Sequence, residues 1–134
     1  MSDKTISAHV IETGESNFAV DIAVSGHHIK GDEPLDVEGG NLGPAPYDLL
    51  TAALGECTAM TVRWYARQHA WPLDKVEVNL THHKEGVQDI FTKEVILHGA
   101  ELTEEQRTRL IAIAGKCPVH KTITSSPTII TSAG

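Results

Sequence analysis

The run from Pro46 to about His69 most constrains what this chain can fold into. Its first half, Leu49-Leu50-Thr51-Ala52-Ala53-Leu54-Gly55-Glu56-Cys57-Thr58-Ala59-Met60-Thr61, is apolar almost all round. Leu50, Leu54, Cys57, Thr61 and Trp64 recur at helical spacing on one face. Ala70-Trp71-Pro72 ends the run. A helix apolar on so many faces is expected to be central and buried. A single chain of 134 residues is too small to cover it alone, so a homodimer is expected.

Strand patterns flank this helix. Residues 5–11 alternate weakly through Ile6, Ala8 and Val10. Residues 18–24 alternate clearly, Phe18, Val20, Ile22 and Val24 against Ala19, Asp21 and Ala23. Ser25-Gly26-His27 is a turn into a short strand at 28–30, completing an antiparallel meander. Residues 31–46 form a loop rich in Gly and Pro, whose glycines permit close backbone approach to a substrate or a partner subunit. After the helix, 75–83 and 91–98 alternate as two strands, the second placing Phe91, Lys93, Val95 and Leu97 on one side. Thr103 and Gln106 form a capping box for a helix running to Ala114, with Leu102, Gln106, Leu110 and Ile113 inward and Gly115 as its stop. A short helix opens at Cys117, and a last strand is expected at Pro127–Thr131. Strands that cluster rather than alternate with helices make this an α+β chain with antiparallel sheets, in a single domain over residues 1–134.

Charge narrows the function. The formal net charge is −7, and Lys and Arg are scattered without a basic stripe, which argues against nucleic acid or an anionic membrane as partner. No apolar run is long enough to span a bilayer. Met1-Ser2-Asp3-Lys4-Thr5 carries no apolar signal segment, so a cytoplasmic location is expected.

There are two cysteines, Cys57 in the long helix and Cys117 sixty positions later in Cys117-Pro118-Val119-His120-Lys121-Thr122. Proline fits the first helical position, so Cys117 stands at a helix start, where unpaired N–H groups lower a thiol pKa. Two such thiols brought together can cycle between dithiol and disulfide, one oxidised to a sulfenic acid and the other resolving it. Cys57 read alone is more simply a small hydrophobe packed in a helix, and it is Cys117 that shifts the reading. His120, one turn after Cys117, is placed to assist it. Asp48, in the first turn of the long helix, either interacts with the helix dipole or orients an active-site cation. Glu56 precedes Cys57 and would oppose its ionisation if close. The eight histidines include the adjacent pairs His27-His28 and His82-His83, but neighbours on a strand point apart and no spacing matches a zinc pattern. No metal and no cofactor are expected.

These segments resemble the OsmC/Ohr family, the osmotically inducible and organic-hydroperoxide-resistance proteins. The resemblance rests on Gly43-Pro44-Ala45-Pro46-Tyr47-Asp48-Leu49-Leu50, on the Cys57 run from Ala52 to Thr61, and on the Cys117 run to Thr122. It implies an OsmC-like α+β fold, an intertwined homodimer and active sites at its interface. It also implies reduction of organic hydroperoxides, with Cys57 as the peroxidatic thiol, Cys117 as the resolving thiol and a thiol or dithiol as reductant. Family peroxidases activate their thiolate with an arginine from the N-terminal strands, held by a glutamate at the start of the long helix. This chain has no arginine before Arg63, and Asp48 is a shortened stand-in for the glutamate. Lys30, Arg63 or a residue of a partner subunit are the candidate replacements. The alternative function is a non-catalytic OsmC-like protein that binds a small hydrophobic ligand at the dimer interface. A structural or metal-binding dimer is a third.

Overall fold

A computed structural model describes residues 5–134; residues 1–4 lie outside the described residues. The chain divides into two units, one ending at Leu50 and the other beginning at Thr51.

In the first unit, strands β1 (Ala8–Glu12), β2 (Val20–Val24) and β3 (His27–Gly31) pair antiparallel in that order. Ala8 faces Val24, and Val20 faces Gly31. The β2–β3 turn is two residues, Ser25 and Gly26, both at positive φ (49° and 81°), which is the backbone twist a tight hairpin needs. The 31–46 loop is more ordered than its composition suggests. It holds a short 3-10 turn at Leu35–Val37 and is gathered around the buried carboxylate of Asp32. That carboxylate accepts from the Ser16 hydroxyl and from the N–H groups of Glu33 (2.8 Å), Gly40 (3.0 Å) and Leu42 (3.2 Å). The glycines of the loop serve this closure. A Cβ at Gly39 would collide with the Glu33 carbonyl, and one at Gly43 with the Lys30 carbonyl. The close approach expected from them is therefore to the chain's own backbone.

Helix α1 (Pro46–Gln68) starts in the first unit and continues into the second. The second unit adds β4 (Lys75–Glu85) and β5 (Gln88–His98), an antiparallel hairpin turning at Gly86-Val87, then α2 (Glu104–Ala114) and α3 (Pro118–Thr124). Val62 and Ala66 of α1, Leu73, Leu102, Leu110 and Ala114 form its core, against Val76, Val95 and Leu97 of the hairpin. The alternation read for both strands is the observed one: Val76, Val78, Leu80 and His82 face inward on β4, and Lys93, Val95 and Leu97 on β5. The capping box is formed in full, Gln106 N–H to the Thr103 hydroxyl and Thr103 N–H to the Gln106 side chain.

Two expectations are corrected. The buried stripe of α1 is Leu54, Gly55, Thr58, Val62 and Ala66, turned from the face on which Cys57, Thr61 and Trp64 lie. Trp64 is 59% exposed and Met60 62%. Gly55 lies against Leu80 of β4, whose side-chain tip a Cβ there would displace. The last strand is absent among the described residues. Pro127–Thr131 has no ladder partner, and Ile129 and Ile130 are 86% and 89% exposed. A β-propensity run becomes a strand only when another strand edge meets its N–H and C=O groups.

Candidate functional site

The second unit brings the two cysteines together. Cys57 lies two turns into the α1 portion of this unit and is half-buried; Cys117 is buried completely. Neither is oxidised, and the two side chains are within hydrogen-bonding reach of each other.

The start of α3 builds the pocket around them. Cys117 is its N-cap and Pro118 its first residue, so the first backbone donors available are Val119 and His120. Val119 N–H donates to Cys57 Sγ (3.5 Å) and His120 N–H to Cys117 Sγ (3.3 Å). One short helix therefore gives one N–H to each sulfur. The Thr61 hydroxyl, one turn after Cys57 on α1, also bonds that thiol.

The third element is Lys93, which sequence reasoning placed on the strand face but did not select. From β5 its ammonium donates to Thr58 Oγ1 (2.9 Å) and to the Ala114 carbonyl near the end of α2 (2.8 Å). Thr58 Oγ1 lies 2.8 Å from the Leu54 carbonyl, to which it donates, and 3.6 Å from Cys117 Sγ. The signal was available: Lys93 is the one cation in the row Phe91, Lys93, Val95, Leu97, and a lysine pointed into a core needs partners there.

The two thiols differ electrically. Burial works against ionisation of Cys117. The Thr58 hydroxyl, the His120 N–H, the Cys57 thiol and the Lys93 charge together outweigh it and hold Cys117 below the ordinary thiol range. Cys57 is pushed up, first by burial and then by the bond and charge of Cys117, against the pull of Val119 N–H and Thr61. Burial lowers the Lys93 pKa, with the two sulfurs opposing that shift. Burial and then Lys93 lower the His120 imidazole, so at neutral pH it is an uncharged neighbour and its backbone N–H is what serves the sulfur. The pair thus favours its negative charge on the inner sulfur, Cys117, and leaves Cys57 the more accessible of the two.

Other candidates fall elsewhere. Arg63 is committed to the carbonyls of Leu73 (2.7 Å) and Asp74 (3.1 Å). Lys30 pairs with Glu15 and Asp21 across the first sheet. Asp48 accepts the Ala45 N–H (2.9 Å), a bond that fixes the first turn of α1. Glu56 is exposed. His82 and His83 pair with Asp89 and Glu85, and no three His, Cys, Asp or Glu side chains among the described residues form a group able to hold a metal. No helix among them is long and apolar enough to cross a membrane.

Comparison with known proteins agrees with this fold. The family profile described as OsmC-like protein matches residues 39–132, a span that includes both cysteines and Lys93. No curated protein matches the chain in sequence. An OsmC-like protein from Mycoplasma pneumoniae superposes with a TM-score of 0.76 at 18% identity, covering 91% of this chain and 89% of that one. The organic hydroperoxide resistance protein OsmC of Legionella pneumophila gives 0.63 at 18%, covering 92% of each chain. The organic hydroperoxide resistance protein OhrB of Bacillus subtilis gives 0.63 at 16%, covering 92% and 93%. At these identities the structures share the fold.

Proposed function

We propose that this chain, which belongs to the OsmC-like protein family, is a thiol peroxidase that reduces organic hydroperoxides in oxidative-stress defence. The observation that carries the reading is the pair of thiols in bonding reach, one open and one buried beside a lysine. Two similarly folded proteins bear the name organic hydroperoxide resistance protein, which favours the same substrate class here.

The geometry supports the following cycle. Cys57, the half-buried sulfur, meets the peroxide. Its Sγ attacks the distal peroxide oxygen, the O–O bond breaks, and the thiol proton ends on the departing alkoxide, giving an alcohol and a sulfenic acid on Cys57. Cys117, as its thiolate, then attacks Cys57 Sγ. The S–S bond forms, the S–O bond breaks, and hydroxide leaves to become water with a proton from solvent. A thiol or dithiol reductant returns two electrons and two protons to restore both thiols. In this reading Lys93 is the cation of the site and acts on Cys117, the resolving thiol. Asp48 contributes by fixing the start of the helix that presents Cys57.

The working form is a homodimer in the cytoplasm. Support for the dimer comes from the large apolar side chains a single chain leaves open, Met60 and Trp64 on α1 and Ile129 and Ile130 in the C-terminal run. The experiment is a titration of the reduced protein with an alkyl hydroperoxide while free thiols are counted. Loss of both thiols per peroxide consumed is expected. Thiols left unreacted under conditions that oxidise a known thiol peroxidase would overturn the reading.

A further inference from the structure

Thr58 stands between the lysine and the buried sulfur, and the hydrogen count around it is informative. Its hydroxyl carries one proton and two lone pairs. One lone pair receives Lys93 Nζ at 2.9 Å. The proton faces the Leu54 carbonyl at 2.8 Å, and Cys117 Sγ lies 3.6 Å away on the remaining side. With Cys117 protonated, every group is satisfied: the S–H donates to the second lone pair, and the Thr58 proton stays on Leu54. Once Cys117 loses its proton the arrangement must change, because a Thr58 lone pair then faces a thiolate, and two acceptors, the sulfur and the Leu54 carbonyl, share one hydroxyl proton. Turning the hydroxyl proton from Leu54 to the sulfur resolves this. The turn costs little, since the Leu54 carbonyl remains the acceptor of the helical Thr58 N–H.

We propose that Thr58 is a positioning residue whose hydroxyl turns onto Cys117 when that sulfur ionises, relaying the Lys93 charge to the resolving thiol rather than to Cys57. Thr58 is fully buried, so no water competes for its proton. Cys57, by contrast, takes its bonds from Val119 and Thr61 and meets this chain of contacts only through Cys117 itself. The inference deepens the peroxidase reading and rests on it for its functional meaning. Its consequence is that resolution of the sulfenic acid, by attack of Cys117 with loss of hydroxide, is the step the lysine promotes. Cys57 would then pass through the sulfenic state too briefly to be oxidised further.

The test uses the full chain with Cys57→Ser, so that Cys117 is the single thiol, and follows alkylation by iodoacetamide across pH. Loss of one hydrogen bond to a charged sulfur should slow alkylation at neutral pH by roughly threefold to tenfold in Thr58→Val, the lost thiolate being partly offset by higher intrinsic nucleophilicity. The profile should move to higher pH, and Thr58→Ser, which keeps the hydroxyl, should restore it to within about twofold of the parent. Thr58→Ala removes the hydroxyl without adding volume and gives the same comparison where Thr58→Val does not fold. Profiles that coincide with the parent in the hydroxyl-free variants, or that move equally in Thr58→Ser, overturn the proposal. A second arm treats the two-cysteine Thr58→Val protein with hydroperoxide. A larger share of oxidised Cys57 reaching the sulfinic acid is expected, and an unchanged share overturns the assignment to the resolving step. Wild-type thiols indifferent to hydroperoxide would sink the peroxidase reading instead, and the alkylation comparison would still decide Thr58.

Discussion

Replacing Lys93 by Met removes the charge and the three donors while keeping a stem of similar length. The two contacts through Thr58 cap the distance from Nζ to Cys117 Sγ at about 6.5 Å. At an effective dielectric of about 20, unit charges so placed attract by about 2.5 kcal/mol. Losing that attraction lowers the thiolate population of Cys117 by roughly 70-fold at a pH below its midpoint. The remaining thiolate is more nucleophilic, which recovers about half of the effect on a logarithmic scale. Alkylation of Cys117 in a Cys57→Ser background should therefore slow by roughly tenfold at neutral pH when Lys93→Met is added. Intact mass after timed iodoacetamide exposure measures this directly. Lys93→Arg keeps the charge and should lose less. Equal rates for the lysine and methionine proteins would refute the assignment of Lys93 as the cation of the site. They would return the search to residues of a partner subunit.

Leu110 is fully buried in the core of the second unit, and Leu110→Ala should cost about 2–5 kcal/mol in urea unfolding; a change below about 0.5 kcal/mol would mean the core is elsewhere. Burial would raise the Asp32 pKa, but the Ser16 hydroxyl and the N–H groups of Glu33, Leu42 and Gly40 more than offset it, so the folded value lies below the unfolded one. The stability it contributes is therefore complete above about pH 4 and is lost as pH falls through the folded value, and Asp32→Asn should flatten that part of an acid-unfolding curve. An unaltered acid limb in the variant would show that the loop does not depend on this carboxylate. Sedimentation at micromolar concentration should give twice the chain mass of 14.5 kDa, and a folded monomer there would remove the dimer from the account.

The local chemistry of the fold was legible in the residues. Thr103 and Gln106 announce their capping box, and Cys117-Pro118 announces a helix start, because each signal is decided within four residues of chain. The alternation of β4 and β5 was equally direct. What failed depends on distant partners. The face α1 buries, Leu54, Gly55, Thr58, Val62 and Ala66, packs against residues far apart from it in sequence, such as Leu80 and Leu110, and the apolar count alone could not orient the helix. The run at 127–131 has strand composition but no edge to pair with in this chain. At the site, the two sulfurs and the α3 donors followed from the motifs. Lys93 did not, because its partners, Thr58 on α1 and Ala114 on α2, lie far from it in sequence. Its position in an otherwise apolar row was the available clue.

The central claim is that Cys57 and Cys117 form a reversible disulfide when the protein reduces a hydroperoxide. Peptide mapping under non-reducing conditions after one equivalent of an organic hydroperoxide tests it most directly. The account predicts a Cys57–Cys117 linked peptide, a chain lighter by two hydrogens, and full return to free thiols with a dithiol. In Cys117→Ser the same pulse should leave Cys57 as sulfenic or sulfinic acid. Free Cys57 and Cys117 peptides in the wild-type digest, with the hydroperoxide unconsumed, would contradict it.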